Sequence, residues 1–408
     1  MILDGMGDLP NSQLDNMTPL ESANTPNMDF LATRGELGYL YPVKPGFVPG
    51  SGQAIVSIFG NHFSDASRGY LEAIGVGIEL KRGDLALRVN FATIDSLEKG
   101  NVLDRRAGRT LTTKEADLLT KALNKIKMPV KFEFKNTIQH RGVLIFRGGF
   151  SEDISPNDGA YSQGKIKEII KIKKCMPIDE EENSVYTANI VNEFLDKAYE
   201  VLVNHPINLS RKEKGLMPAN YLLIRGAGTE IPKLKKYQKW CSAHYMPLEI
   251  GFSEVSGMTN SKFDYPRLKK LDAYENLWDG LRKACKHSIK VIKKNWRRFD
   301  YCYIHLKETD LPGHDNKPFE KKAMIEYIDN TFMKFLRNFC PPKKIRIAIT
   351  ADHSTPCKLK SHSADPVPVL LYNDSRLQEK AFSEKECRKG TLRRIEGIDF
   401  IKTIGFHK

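Results

Sequence analysis

Long apolar runs are missing from this sequence. The longest, such as Val367–Tyr372, fall far short of the ~20 residues of a membrane span, so no membrane-spanning segment is expected. The first residues lack the basic start and apolar stretch of a signal peptide. The seven cysteines are widely spaced, odd in number and form no CxxC pair, so neither a disulfide framework nor a zinc knuckle is expected. These absences predict a cytoplasmic protein without a membrane partner.

Apolar residues are plentiful, and the charge balance is strongly basic. Hydrophobic residues make up 40% of the 408 residues and charged residues 28%, which is enough apolar material for a real core. A chain of this length predicts two or three domains, or one large core with an insertion. The net charge of +14 favours anionic partners, which include phosphorylated metabolites, nucleic acids and membrane surfaces.

Two lysine-rich stretches have helical spacing, Lys165–Lys174 and Lys286–Arg298. No regular interleaving of aromatic residues and no known motif accompanies them, so a solvated helix face is favoured over a nucleic-acid patch. The sequence therefore predicts a small-molecule substrate and no nucleic-acid partner. It leaves association into a homo-oligomer open.

Strand-like and helix-like segments alternate through the C-terminal half. The predicted buried strands are Tyr221–Arg225, Phe299–Leu306, Ile345–Thr350 and Val367–Tyr372. The predicted helices are Ala188–Asn204, Leu268–Lys293 and Glu320–Leu336. Strands separated by such helices indicate an α/β fold with a mainly parallel sheet and helices on both faces. Ligands of these sheets gather at the carboxyl ends of the strands.

The middle of the chain has a different pattern. Its predicted elements are the strands Ala86–Phe91, Val130–Phe134 and Gly142–Phe146 and the helix Thr113–Lys127. This pattern predicts an inserted α+β domain at residues 65–177, which makes the main domain discontinuous at 1–64 and 178–408. The acidic run Glu180–Asn183 is interpreted as an exposed return linker.

Chemistry-bearing side chains follow several of these strands. Seven residues are candidate metal ligands: Asp4, Ser51, Asp310, His314, Asp352, His353 and His362. Carboxylates mixed with imidazoles suit Mn, Mg, Zn or Co rather than a thiolate site. Two ions sharing these ligands could stabilise both the attacking and the leaving oxygen of a phosphoryl transfer, and a bound ion lowers the pKa of a serine hydroxyl. The first ion would take Asp4, Ser51, Asp352 and His353, and the second Asp310, His314 and His362.

Longer strings carry a resemblance to a known family. They include Leu3–Asp8, Thr18–Glu21, Asn24–Asp29, Pro49–Ser51, Asn90–Thr93, Asp104–Arg109, His140–Leu144, Arg225–Gly228, His305–His314, Asp352–Pro356 and His362–Pro368. The chain resembles the archaeal-type, 2,3-bisphosphoglycerate-independent phosphoglycerate mutases of the alkaline phosphatase superfamily. The strings cover nearly the whole chain, and DRRAGR and HSADPVP are the most specific.

The resemblance implies a fold, a reaction and a set of site residues. The fold is a phosphatase-like α/β domain with an inserted substrate-handling domain. The reaction interconverts 2-phosphoglycerate and 3-phosphoglycerate in glycolysis or gluconeogenesis, with Ser51 as the phosphoryl acceptor and two divalent ions, Mn or Mg ahead of Zn or Co. Lys307, at the end of its strand, is a candidate for neutralising developing charge.

The predicted insertion supplies anion-binding side chains. The candidate substrate-binding residues are Asp104, Arg105, Arg106, Arg109, His140 and Arg141. Arginine grips carboxylate and phosphate bidentately, and phosphoglycerate carries both groups. Asp104 and His140 are candidates for acid–base help at the glycerate hydroxyls. A closing insertion would also keep water from the phosphoserine.

The sequence departs from the family pattern near the nucleophile. Gly52 stands where the family has an acidic residue, and Ile55 where it has a histidine. Only three residues precede Asp4, which predicts a shortened first strand. Two alternatives therefore stay open: a metal-dependent phosphatase or related phosphoester hydrolase on the same core, and a catalytically impaired relative.

Overall fold

The computed structural model describes residues 1–65, 67–159, 170–269, 271–375 and 381–406. The strands are β1 (Ile2–Leu3), β2 (Gly35–Tyr41), β3 (Leu85–Ile94), β4 (Val102–Asp104), β5 (Phe132–Asn136), β6 (Arg141–Phe146), β7 (Tyr221–Gly228), β8 (Trp240–His244), β9 (Thr259–Lys262), β10 (Tyr301–Leu306), β11 (Ile347–Ile349), β12 (Val367–Tyr372) and β13 (Arg393–Glu396). The α-helices are α1 (Pro19–Ser22), α2 (Pro26–Ala32), α3 (Ser51–Ile58), α4 (Arg68–Gly75), α5 (Thr113–Leu123), α6 (Glu182–Val203), α7 (Pro206–Glu213), α8 (Pro247–Val255), α9 (Ala273–Asn295), α10 (Asp310–His314), α11 (Pro318–Ile328), α12 (Lys334–Phe339), α13 (Glu384–Lys389) and α14 (Phe400–Thr403).

The main sheet is parallel at its centre. Strands β1, β10, β8 and β9 pair in that order, all parallel. Backbone bonds from Leu3 to Thr350 (2.9 Å) and from Thr350 to Met1 (3.1 Å) join this part to β11. Beyond β11, β12 is antiparallel to both β11 and β2, and β13 is parallel to β2. The predicted α/β fold with a parallel sheet is confirmed, with an antiparallel strand on one side.

Helix α9 shows how the sequence builds the layer beside this sheet. Its buried positions Leu281, Ala284, Ser288 and Val291 recur every three or four residues, so one stripe of the helix faces the core. Helix α11 continues through a π-helical turn (Asp329–Met333) into α12. Of the helices in the described residues, none combines the length and apolarity that crossing a membrane requires.

A second sheet carries a separate core. Its strands pair in the order β4-β3-β6-β5, and β7 is antiparallel to β3 on its other side. Helices α5 and α6 pack on it, with Leu119 and Phe194 in the same buried cluster as Phe146. The α+β character expected for the middle of the chain is thus present.

Two sequence interpretations need correction. The run Tyr221–Arg225, expected in the main sheet, belongs to β7 of the second sheet, because an apolar run does not specify which sheet it joins. The run Glu180–Asn183 is exposed as expected, but only its first half connects elements: Glu182 begins α6, and acidic residues favour a helix N-terminus because of its partial positive charge. The boundary at residue 177 stays a prediction, while the strand pairing favours a return after Gly228.

Candidate active site

The carboxyl ends of three neighbouring strands meet at one edge of the main sheet. Asp4 follows β1, Lys307 follows β10, and Asp352 with His353 follows β11. Because these strands run parallel, their following residues converge. The shared edge brings Asp4 into contact with Lys307 and His353, which come more than 300 residues later in the chain.

The short first strand nevertheless fixes Asp4. Strand β1 has two residues, as the sequence suggested, but it is hydrogen-bonded on both sides. The Asp4 amide donates to Leu306 O (2.8 Å), and the Thr309 hydroxyl donates to Asp4 O. Asp4 is 2% exposed. Neighbouring strands therefore position this carboxylate.

Ser51 opens helix α3 and points into the same edge. Gly50 is the cap residue, and its amide donates to Gln53 Oε1 (3.0 Å), which fixes the first turn. The Ser51 hydroxyl lies 3.3 Å from His353 Nε2 and 3.5 Å from Lys307 Nζ. A buried hydroxyl between an imidazole and an ammonium is well placed to act as a nucleophile.

The candidate metal ligands form one continuous cluster. Their ligand atoms fall into three groups, each within 4.8 Å: Asp310, His314 and His362; Asp4, Asp310 and His353; Asp4, His305 and Asp352. Asp4 and Asp310 each belong to two groups. The His353 and His362 rings stack with centroids 3.6 Å apart. The structure thus brings together all seven predicted residues, with Ser51 reaching the cluster through His353.

Unsatisfied buried atoms indicate what the cluster is suited to hold. Asp352 Oδ2 and His305 Nε2 are buried and have no hydrogen-bond partner among the described residues. Buried polar atoms normally have hydrogen-bond partners, so two unpaired atoms 3.7 Å apart indicate that this position is suited to bind a ligand. Both atoms can donate an electron pair to a cation. A divalent ion with oxygen and imidazole ligands fits this donor set.

The electrostatics of the cluster lead to the same inference. Burial raises the pKa of Asp4, but the Lys307 ammonium and His353 together hold it well below its ordinary value. Burial and the charge of Asp4 raise the pKa of Asp352 to about 7. Burial lowers the pKa of His353, but Asp352 and Asp4 together raise it to about 9. Positive charge at this position therefore stabilises the ionised form of the buried carboxylates.

Lys307 is an internal residue of the site. Its side chain is 12% exposed, and its ammonium contacts Asp4, lies 2.9 Å from Glu249 Oε1 and lies 3.9 Å from Asp352 Oδ2. Burial alone lowers the pKa of Lys307, but these carboxylates raise it above the ordinary value. Lys307 therefore holds a permanent positive charge beside Ser51.

The arginine-rich loop closes over this edge from the second sheet. Asp104 Oδ1 accepts hydrogen bonds from the amides of Arg106 (2.7 Å) and Gly108 (2.9 Å), so Asp104 shapes the loop. Ala107 and Arg109 have positive φ angles of 46° and 55°, which are strained for residues with side chains. The acid–base role of Asp104 stays a prediction.

The four predicted arginines have different partners. Arg105 is partly exposed and pairs with the buried carboxylate of Asp158, whereas Arg109 pairs with Asp315, the residue after His314. Burial and the charge of Arg109 lower the pKa of Arg106 to about 10, and Asp310 partly offsets them. Arg141 Nη1 lies 4.0 Å from Met246 Sδ. Arg106 is thus within the electrostatic reach of the metal-ligand cluster.

His140 lies buried among these arginines. Its Nδ1 has no hydrogen-bond partner among the described residues. Burial, with the charges of Arg141 and Arg106, holds its pKa well below the ordinary value, so the ring is neutral. A neutral imidazole can donate one hydrogen bond and accept another.

Comparisons with known proteins agree with this geometry. Residues 32–208 match the family model described as "2,3-bisphosphoglycerate-independent phosphoglycerate mutase". A protein of that name from Thermococcus kodakarensis is 41% identical over 98% of this chain and 94% of its own. The Pyrococcus furiosus protein of that name is 41% identical over the same shares. The chain belongs to the 2,3-bisphosphoglycerate-independent phosphoglycerate mutase family.

Solved structures agree with this assignment to the mutase family. A Pyrococcus horikoshii protein superposes with a TM-score of 0.75 at 32% identity, covering 100% of this chain and 97% of the other. A cofactor-independent phosphoglycerate mutase from Thermoplasma acidophilum gives a TM-score of 0.56 at 27% identity, covering 99% and 97%. The resemblance seen in the sequence is confirmed.

Sequence reasoning missed two residues that line this candidate site. His305 lies two positions before Lys307, and alternate residues of a strand share a face, so the spacing could have revealed it. Its Nδ1 accepts from or donates to the Tyr303 hydroxyl (3.0 Å), leaving Nε2 facing Asp352. Glu249 lies among apolar residues in the first turn of α8, and no pattern in the sequence marked it as a site residue.

Proposed function

We propose that this chain interconverts 2-phosphoglycerate and 3-phosphoglycerate, with Ser51 Oγ accepting the phosphoryl group and returning it to the other glycerate hydroxyl. The observation that carries the proposal is the position of Ser51 Oγ, 3.3 Å from His353 Nε2 and 3.5 Å from Lys307 Nζ. A phosphoryl acceptor needs an in-line hydroxyl and positive charge nearby. Family membership and this geometry support the same reaction.

Two sets of ligands support a two-ion site. Asp4, Asp352 and His353 would hold one divalent ion together with Ser51, and His305 adds a donor there. Asp310, His314 and His362 would hold the second. We expect Mn or Mg in preference to Zn or Co. Either ion would lower the pKa of the Ser51 hydroxyl and offset the negative charge of the phosphoryl group. The Thr355 hydroxyl donates to Asp310 Oδ1 (2.7 Å) and orients that carboxylate.

Protein cations complete the charge balance around the phosphoryl group. Lys307 keeps its proton because three carboxylates surround it, so it donates a hydrogen bond toward Ser51. Arg106, close to Asp310, and Arg141 would hold the carboxylate and phosphate of the glycerate. His140, neutral and with a free Nδ1, would contact a glycerate hydroxyl. Arg105 would position the loop through Asp158.

Closure of the second unit would protect the phosphoserine. Arg109 on the loop pairs with Asp315 on the main domain, and the Tyr274 hydroxyl also donates to Asp315 (2.8 Å). A closed site excludes water, so the phosphoryl group returns to glycerate rather than being hydrolysed. We propose an inserted unit running from residue 65 to Gly228. The cytoplasmic location and the oligomeric state stay predictions.

The decisive test is ³¹P NMR of purified, metal-loaded protein incubated with 3-phosphoglycerate. Wild type should form 2-phosphoglycerate with little free phosphate, and Ser51→Ala should form neither. Ser57→Ala, in the same helix and also buried, is the matched control and should keep the wild-type rate. Free phosphate without 2-phosphoglycerate would favour the hydrolase, and equal activity in Ser51→Ala would refute the nucleophile.

Metal content tests the ligand sets separately. Mass spectrometry of elements should find two ions per wild-type chain after loading and dialysis. Asp352→Asn and His314→Ala should each lose one ion, because they belong to different sets. A single ion in wild type, or loss of both from either variant at equal folded fraction, would contradict the two-set assignment.

A further inference from the structure

Most of the excess positive charge of this chain lies in two short segments. Residues 286–299 contain six lysines and arginines and residues 330–346 contain five, with no aspartate or glutamate in either. The net charge of the whole chain is +14. A basic balance spread at random would not place eleven cations and no carboxylate in about thirty residues.

The fold brings the two segments side by side. The first is the end of α9 with the residues before β10, and the second is α12 with the residues before β11. Trp296 and Phe339 touch edge to face, with centroids 6.1 Å apart, and Phe339 stacks on Phe335 at 4.9 Å. One aromatic strip therefore joins both segments.

Cations lie against the rings of this strip. Arg297 lies 4.7 Å from the centre of the Trp296 ring, Lys343 lies 4.0 Å from that of Phe339, and Lys293 lies 5.5 Å from that of Phe335. In the sequence, the first basic segment carries two aromatic residues, Trp296 and Phe299, both near its end. The aromatic interleaving that was missing from the sequence arises from tertiary packing, because the other rings come from α12.

The basic face, defined as the eleven cations of residues 286–299 and 330–346 with this strip, is mostly open to solvent. Carboxylates border it at Asp300 and Asp329, and Asp329 interacts electrostatically with Arg337. Nine of the eleven cations are exposed, all except Arg337 and Lys343. Within the described part of the chain, no ion pair involves any of the eleven. Asp300, at the margin, is 4.0 Å from Lys239 instead.

The basic face lies opposite the active site. Its residues precede β10 and β11, whereas Lys307 and Asp352 follow them, so the two regions lie at opposite ends of the same strands. Six residues of strand separate them by about 20 Å. A ligand on this face does not obstruct the mutase site.

We propose that the basic face binds single-stranded nucleic acid. An unpaired row of cations tracks a phosphate backbone, and adjacent aromatic rings and arginine–ring pairs are the contacts that single strands use. A membrane surface fits less well, because none of the exposed large apolar side chains in the described residues falls in these segments. This binding is separate from the mutase reaction.

Fluorescence anisotropy with labelled polyuridylate of about 20 nucleotides in about 50 mM KCl tests the proposal. The test variant combines Lys290→Gln, Lys294→Gln, Arg297→Gln and Arg298→Gln. The matched control removes the same charge elsewhere, through Lys121→Gln, Lys125→Gln, Lys212→Gln and Lys214→Gln, which are also exposed. Both variants should keep the wild-type mutase rate, which verifies their fold.

The test variant should bind at least about tenfold more weakly, and its slope of log affinity against log salt should fall by about 3, for four lost phosphate contacts. The control should change affinity less than about twofold. Equal weakening of both variants, or no saturable binding by wild type, would overturn the proposal. The proposal would also be overturned if wild type bound phosphatidylserine vesicles but not RNA, and the test variant lost the vesicle binding. That result would identify the basic face as a membrane-binding surface.

Discussion

The Lys307 ammonium lies 3.5 Å from Ser51 Oγ and 2.9 Å from Glu249 Oε1, so an internal cation lies beside the proposed nucleophile. Lys307→Met removes this donor and its charge from the position where phosphoryl charge develops. The rate constant kcat should fall by about 100-fold to 1000-fold, with a smaller change in KM. Steady-state assays check this, and Lys307→Arg should recover part of the rate. Wild-type kcat in Lys307→Met would contradict the role.

The Arg109–Asp315 pair predicts how well the site excludes water. Asp315→Asn weakens a partly exposed pair worth about 1 kcal/mol, so phosphoserine should be hydrolysed several times more often. The ratio of free phosphate to 2-phosphoglycerate in ³¹P NMR measures this. Arg109→Gln should raise the ratio equally, and the double variant should add little. The control Arg147→Gln breaks the ion pairs of Arg147 with Asp84 and Glu133, beside the second sheet, and should leave the ratio unchanged. An equal rise there would refute the closure argument.

Gly52 offers a gain-of-function substitution. A Cβ atom at this position would meet only Leu248 and Arg68, at 3.7–4.0 Å, so side chains fit. Gly52→Asp adds a carboxylate in the first turn of α3, and half-maximal activity should need several-fold less Mn²⁺. Gly52→Ala, the control, should raise stability by roughly 0.5–1 kcal/mol without this effect. Identical Mn²⁺ titrations for both variants would contradict it.

Glu384 predicts a pH-dependent stability. Burial raises its pKa from 4.5 to about 7, although the Thr18 hydroxyl donates to it (2.7 Å). The protonated form is favoured in the fold, so its stabilisation is complete below about pH 4.5 and is lost as the pH rises through about 7. Glu384→Gln should reduce the drop in unfolding free energy between pH 5 and pH 8 by on the order of 2 kcal/mol.

Chemical denaturation at both pH values measures this difference. Glu386→Gln, which changes a neighbouring carboxylate paired with Lys389, is the control and should follow wild type. Parallel curves for wild type and Glu384→Gln would contradict a raised pKa of Glu384 in the folded state.

Local sequence patterns predicted where helices and strands lie better than they predicted which strands pair with each other. The predicted strand Val367–Tyr372 matches β12 residue for residue because all six side chains are buried. The antiparallel pairing of β12 could not be predicted from the sequence, because a strand can be fully buried whether its neighbours run parallel or antiparallel to it. The helix predicted from Leu268 begins instead at Ala273, where Asp272 Oδ1 accepts from the amides of Tyr274 and Glu275.

The site was predictable where it depends on strand ends and not where it depends on long-range pairing. Asp4, Lys307 and Asp352 could be grouped from sequence because parallel neighbours end at one edge. The partners of Arg105 and Arg109 could not, since Asp158 and Asp315 reach them only through tertiary packing. The basic face needed the structure for the same reason.

His314 and Asp315 are adjacent in the chain, yet one faces the ligand cluster and the other faces Arg109. A single peptide unit therefore connects ion coordination to closure. If closure changes the affinity for an ion at His314 by some factor, thermodynamic linkage requires the ion to change the closure equilibrium by the same factor. An ion bound at His314 and a substrate bound under the arginine loop would then each change the affinity for the other, and a chelator would change how firmly the loop is held.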